Sequence, residues 1–96
     1  MAENNPLTVQ NATTTSYQFQ VSLGSNQYTQ QVAGGGLWAV PATFPCDQWV
    51  TVIVSNAQES LSYQVLNAKQ VIFDAQTLGC LAGACGGGCQ VNQSPV

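Results

Sequence analysis

Residues 16–23, Ser-Tyr-Gln-Phe-Gln-Val-Ser-Leu, alternate without a break: Tyr17, Phe19, Val21 and Leu23 fall on one side, Ser16, Gln18, Gln20 and Ser22 on the other. A period of 2 sustained this far describes a strand with one buried face and one wet face. Such a strand is not stable alone in water, so it demands further strands and an opposing apolar layer. Leu7 and Val9 sketch a shorter strand before it. Gly24-Ser25-Asn26 is a turn, and Tyr28, Gln30 and Val32 alternate beyond it as the second arm of a hairpin.

The rest of the chain repeats this grammar. Gly34-Gly35-Gly36 marks a bend or a close approach. Leu37–Val40 reads as a strand stopped by Pro41, and Pro41 and Pro45 bracket a loop that holds Phe44 and Cys46. The β-branched run at residues 49–54 reads as a central strand covered on both faces. Leu61, Tyr63 and Val65 alternate, residues 67–70 turn the chain, and Val71-Ile72-Phe73 closes the series. The expectation is an all-β fold, a small antiparallel β-sandwich or barrel of about seven short strands. It forms one domain over residues 1–96, with a strand-rich core at 6–73 and a Gly/Cys-rich C-terminal segment at 74–96. Tyr17, Trp49 and Tyr63 are expected in the core. Asp74 is placed to cap a short helix over residues 74–78 that Gly79 ends.

Residues 79–89 contain five glycines and three cysteines, which leaves little side chain to pack. Covalent or metal ties must order such a segment. Cys46, Cys80, Cys85 and Cys89 are the candidates for two disulfides, with one bridge running from Cys46 into the C-terminal trio and the second closing within it. Cys85–Cys89 is a short option that the intervening glycines permit. Free buried thiols, or four thiolates holding zinc or an iron–sulfur cluster, are the alternatives, but the spacing lacks the paired C-x2-C knuckles of structural zinc. No metal site and no cofactor is expected.

Composition then narrows function by exclusion. Charged residues make up 5% of the chain, with Lys69 the only cation and no histidine or arginine. An average domain is about a quarter charged. Nucleic-acid binding depends on cations that displace counterions, so it is not expected. No apolar run reaches the length of a spanning helix, so no membrane insertion is expected. General acid–base and activated-nucleophile chemistry lack their usual residues, so an enzyme is not expected. The N-terminus has neither a basic nor an apolar region of the signal-peptide kind.

Polarity comes instead from 13 Gln, 7 Asn and 8 Thr, all neutral hydrogen-bonding groups. Such surfaces pair without desolvating charge, and strands without lysine guards leave their edges open to pairing. The expected function is a non-enzymatic structural subunit of an extracellular filament, cell envelope or virion. It would form a homo-oligomer or join an assembly partner protein, with the 4–6 end or the 90–96 tail laid along a neighbour. The alternative is a carbohydrate-binding, lectin-like module for neutral glycans, with Trp38, Tyr28 and Gln30 as the candidate ligand-binding residues. Asn11-Ala12-Thr13 and Asn92-Gln93-Ser94 match glycosylation acceptors.

Overall fold

The computed structural model describes residues 4–74, 77–83 and 85–94. They form strands β1 (Asn4–Asn11), β2 (Tyr17–Leu23), β3 (Asn26–Val32), β4 (Leu37–Pro45), β5 (Val50–Ser55), β6 (Ser60–Leu66), β7 (Ala68–Asp74), β8 (Thr77–Ala82) and β9 (Gln90–Ser94). A four-stranded sheet runs β4-β1-β7-β8 and a five-stranded sheet runs β3-β2-β5-β6-β9. The chain is thus an all-β sandwich with its C-terminal segment tied down by two disulfides. The C-terminal segment supplies the strands beyond the expected seven, because β8 pairs with β7 and β9 with β6. One pair is parallel: Thr8 of β1 faces Gln70 of β7, and Asn11 faces Phe73.

The alternating residues fill the space between the sheets. Phe19 and Val21 of β2, Val52 and Val54 of β5, Val9 of β1 and Val71 of β7 have no exposed surface. Phe73 of β7 is the point where the layers interlock. Its ring lies 5.0 Å from that of Tyr17, 5.9 Å from Phe19 and 6.4 Å from Tyr63, each in an edge-to-face arrangement. That geometry sets the positive edge of one ring against the negative face of another and adds about 0.5–1.5 kcal/mol per pair beyond area burial.

Several local expectations give way to tertiary context. β4 does not stop at Pro41; it runs on through Pro45. As an edge strand it pairs, among the described residues, only with β1, and a bulge separates Ala39, opposite Thr8, from Thr43, opposite Pro6. Proline is tolerated at such edges and bulges because no ladder bond is asked of its nitrogen. The helix expected over residues 74–78 is replaced by the β7–β8 hairpin, with Asp74 opposite Thr77; Ala75 and Gln76 lie outside the described residues. β5 is central but not covered on both faces, since Thr51, Ile53 and Ser55 are only half-buried. Trp49 precedes β5 and is 36% exposed, so it is not core, whereas Tyr63 is.

The first and the last described strands both pair with the chain itself. Asn4–Pro6 pair with Thr43–Pro45, and Gln90–Ser94 pair with β6. Residues 34–36 form a close approach rather than a loose bend, because a Cβ at Gly34 would meet the Thr14 backbone at 2.6–2.9 Å. Asn11 is fully buried. Its Nδ2 donates to Thr15 O at 2.7 Å and Val32 O at 3.0 Å, and its Oδ1 accepts from the Thr13 amide at 3.1 Å. It is therefore an internal clamp between the β1–β2 loop and the end of β3, and is no acceptor for a glycan in the folded chain.

Replacing Phe73 with Ala removes the shared partner of three rings. The expected cost is about 3–5 kcal/mol, a large fraction of the roughly 5–15 kcal/mol available to a domain. Urea unfolding measures it; a loss below 1 kcal/mol would show that the two layers hold without this ring.

Candidate functional site

Strand register assembles the outer face of the five-stranded sheet row by row. Gln27, Ser22, Thr51, Gln64 and Asn92 lie opposite one another across all five strands. Thr29, Gln20, Ile53 and Ser62 form a second row, and Gln31, Gln18, Ser55 and Ser60 a third. Every member is an amide or a hydroxyl except Ile53, and none is charged. The outer face of the four-stranded sheet is more apolar. There Leu37 is 65% exposed and Leu81 43% exposed, with Ala39 and Ile72 between them.

The four sheet edges are not equivalent. β4 carries two prolines and a bulge. β8 is tied by Cys80 to Cys89, the residue just before β9, and β9 is only five residues long. β3 has seven residues, no proline and no charge, and only Val32 is buried. Among the described residues its outer edge is paired to no strand. The two-residue loop Gly24-Ser25 closes the β2–β3 hairpin at Leu23 and Asn26, with Gly24 at the positive φ of 61° that a type II′ turn requires first. From that closing pair the ladder alternates, so Asn26, Tyr28 and Gln30 bond to β2 while Gln27, Thr29 and Gln31 turn their N–H and C=O outward.

The residues expected to bind a ligand lie on the edge strands β3 and β4. Trp38 lies on β4 opposite Val9, half-buried against the core. Tyr28 is also half-buried against the core, and its ring meets Phe44 edge-on at 6.2 Å. Gln30 is exposed, and its Nε2 donates to Gln31 O at 3.3 Å. Its amide is thus spent on an outward carbonyl of the β3 edge.

One end of the sandwich is a covalent and amide knot. Cys46 bridges to Cys85, 39 residues on, with Cα atoms 5.9 Å apart, and Cys80 bridges to Cys89, 9 residues on, at 6.3 Å. The short Cys85–Cys89 option is not taken, and the two bridges consume all four sulfurs, leaving no thiolate for zinc or a cluster. In the chain-entropy view these loops are worth about 4 and about 3 kcal/mol respectively. Asn67 alone separates β6 from β7 and carries the chain from one sheet to the other, at a φ of 53°. Asparagine tolerates this left-handed conformation better than most residues. Its Nδ2 donates to Gly86 O at 2.8 Å and Gly88 O at 3.0 Å, and its Oδ1 accepts from Asn5 Nδ2 at 3.3 Å. Gly83 N donates to Asn67 O at 2.9 Å, and a Cβ at Gly83 would run into the Asn5 amide. The cavity behind Asn5 and Asn67 measures about 10 Å³, room for one water at most.

At the other end of β5 lies an open, mostly polar cleft of about 340 Å³ between the start of β2, the end of β3 and the β5–β6 loop. Neither the small cavity nor this cleft is lined by Trp38, Tyr28 or Gln30. Tyr17 Oη donates to Glu59 Oε1 at 3.4 Å beside the cleft. Burial first, then the Glu59 carboxylate, raises the Tyr17 phenol above its ordinary value, and the same two causes raise Tyr63.

The geometry defines a disulfide-stapled β-sandwich domain with a neutral outer face, an open edge strand and a polar cleft. Two native disulfides are consistent with an oxidising, extracellular environment. No protein-family model, no curated protein and no solved structure matches the chain.

Two outcomes follow from these contacts. Asn67→Gly keeps the left-handed backbone and loses only the amide, so about 1–3 kcal/mol should disappear from the urea-unfolding free energy. Asn67→Ala should lose about 1 kcal/mol more, from strain at positive φ. A Gly variant as stable as the parent would rule out the amide bridge. The raised phenols, in turn, bind protons more tightly folded than unfolded. Their contribution is complete below pH 10 and is lost as pH climbs through the folded-state values. The melting temperature should hold level to about pH 9 and fall above about pH 10, less steeply in Glu59→Gln. Equal slopes in the two proteins would exclude Glu59 as a contributor.

Proposed function

We propose that this chain is a non-enzymatic structural subunit that self-associates, as a component of an extracellular filament, cell envelope or virion. The observation that carries the reading is the β3 edge: seven uncharged, proline-free residues whose outward backbone groups pair with no strand among the described residues. An edge of this kind is a template for another strand, and proteins that remain monomeric usually guard theirs with lysine, proline or a bulge. Here β4 carries such guards and β3 does not. Edge-to-edge pairing of β3 with β3 of a second copy would be isologous and would extend the five-stranded sheet across the dimer. The uncharged outer face makes further stacking free of charge desolvation.

Sedimentation velocity from micromolar to millimolar protein tests this. The parent chain should show concentration-dependent association that salt barely weakens. Thr29→Lys places a charge on the outer face of β3 and should leave a monomer, with folding stability changed by no more than about 0.5 kcal/mol. A parent chain that stays monomeric throughout that range, at low and high salt, overturns the proposal.

A further inference from the structure

The cleft beyond the C-terminal end of β5 is the one concavity of ligand size described above, and its walls are fixed. Gln18 and Gln31 face each other as a cross-strand pair, and Ser55 lies on the other side of Gln18. Opposed Cβ atoms in such a pair stand about 5 Å apart, which brings the two amides over one ligand. Asn56 closes the third wall. Its Oδ1 accepts from the Gln58 and Glu59 amides, each at 2.9 Å, and its backbone N donates to Glu59 O at 2.9 Å, so the loop is a locked turn. Tyr17 is held from behind by Phe73, ring to ring at 5.0 Å. Below, Asn11 ties Thr15 to Val32, one residue beyond each of the lining residues Ser16 and Gln31. A constellation on rigid strands, braced by buried contacts, is preorganised in the sense binding requires.

The lining chemistry selects the ligand. Among the described residues the side-chain amides of Gln18 and Gln31 make no hydrogen bond to the protein, and each offers two donors and an acceptor. That pattern matches vicinal hydroxyls, which also donate and accept. Among the described residues no cation lines the cleft, and the nearby charge is the Glu59 carboxylate, already engaged by Tyr17. Phosphates, sulfates and carboxylates therefore meet no counter-charge and one repulsive one. The polar walls offer little to an apolar ligand. A volume of about 340 Å³ in an open cleft sits at the small end of ligand pockets, which suits one or two rings of a longer chain.

We propose that this cleft is a binding site for uncharged oligosaccharides, with Gln18, Gln31, Ser55 and Asn56 bonding sugar hydroxyls and Tyr17 lining the site. It does not rest on the self-association reading: a strictly monomeric chain would use the cleft equally well.

The test is a two-dimensional amide NMR titration of the dilute chain, repeated on Thr29→Lys so that association does not enter. The probes are tetrasaccharides of β-1,4-glucose, β-1,4-N-acetylglucosamine, β-1,4-mannose and α-1,4-glucose, with a tetragalacturonate and a tetraglucosamine as anionic and cationic comparators. The expected result is saturable millimolar binding of at least one neutral probe, with shifts confined to residues 16–18, 31 and 55–57. Gln18→Ala and Gln31→Ala, each checked for an otherwise unchanged spectrum, should raise Kd about five- to tenfold, and Trp38→Ala should leave it unchanged. Silence from all neutral probes at millimolar concentration overturns the proposal. So do shifts centred on Trp38, a stronger response to either charged probe, or indifference to both glutamine substitutions.

Discussion

The fold depends on one ring being shared by three. Phe73 of the four-stranded sheet meets Tyr17, Phe19 and Tyr63 of the five-stranded sheet, all edge-to-face. A domain of 96 residues buries only somewhat over about 60% of its unfolded surface, so each large contact between layers matters more than it would in a bigger core. Valines fill most of the remaining space, and they are stiff at χ1 and well shaped for packing on a pleated sheet. They do little to fix how one sheet sits on the other, because many valine packings are nearly equivalent. Four aromatic rings with preferred mutual angles remove that freedom. The same contact reaches the surface through Tyr17, whose ring rests on Phe73 and whose hydroxyl meets Glu59 beside the polar cleft.

At the opposite end of β5 the problem is different, and so is the solution. The glycine-rich segment has almost no side chain with which to hold a position. Its order comes from two bridges that restrict the unfolded chain and from Asn67, which hydrogen-bonds the carbonyls of Gly86 and Gly88. The two devices are complementary. Disulfides in the entropic account act mainly on the unfolded ensemble, whereas the buried Asn67 side chain holds the folded segment directly, its amide satisfied by two glycine carbonyls. Asn5 joins them, touching Cys46 Sγ at 3.4 Å and Asn67 Oδ1 at 3.3 Å, so the first strand is stitched to the last segment.

What could be read from sequence follows from how far each signal reaches along the chain. The alternation at 16–23, the Gly24-Ser25 turn and the strands at Leu61–Val65 and Val71–Phe73 are local patterns, and they appear as β2, the hairpin, β6 and β7. The division of the cysteines between one long bridge and one short one was legible for the same reason, since spacing alone separates Cys46 from the others. Pro41 misled because proline stops a strand only where its nitrogen must donate, and nothing local marks β4 as an edge. Residues 74–78 read as a short helix capped by Asp74 because the partner that makes β8 a strand, β7, acts through register rather than periodicity. The polar cleft was not legible at all. Gln18, Gln31 and Ser55 are ordinary wet-face positions on three strands, and only the β3-β2-β5 order sets them side by side. Trp38 drew attention as a rare aromatic after three glycines, yet its strand turns it toward the core.

Neutrality gives the two proposed surfaces a common physical character and a point of contact. Ionic strength screens charges but leaves amide and hydroxyl pairing nearly untouched, so an assembly or a sugar site built this way works alike in dilute and saline surroundings. Gln31 belongs to both surfaces: its backbone turns outward on the β3 edge while its side chain lines the cleft. A strand added to that edge would wall one side of the cleft and could extend its lining with a second copy of the same amides. On the two proposals together, pairing and sugar binding favour each other if the added strand contributes to the lining, and oppose each other if it covers the opening. By reciprocity of linked equilibria, whichever sign holds for sugar acting on assembly must hold equally for assembly acting on sugar.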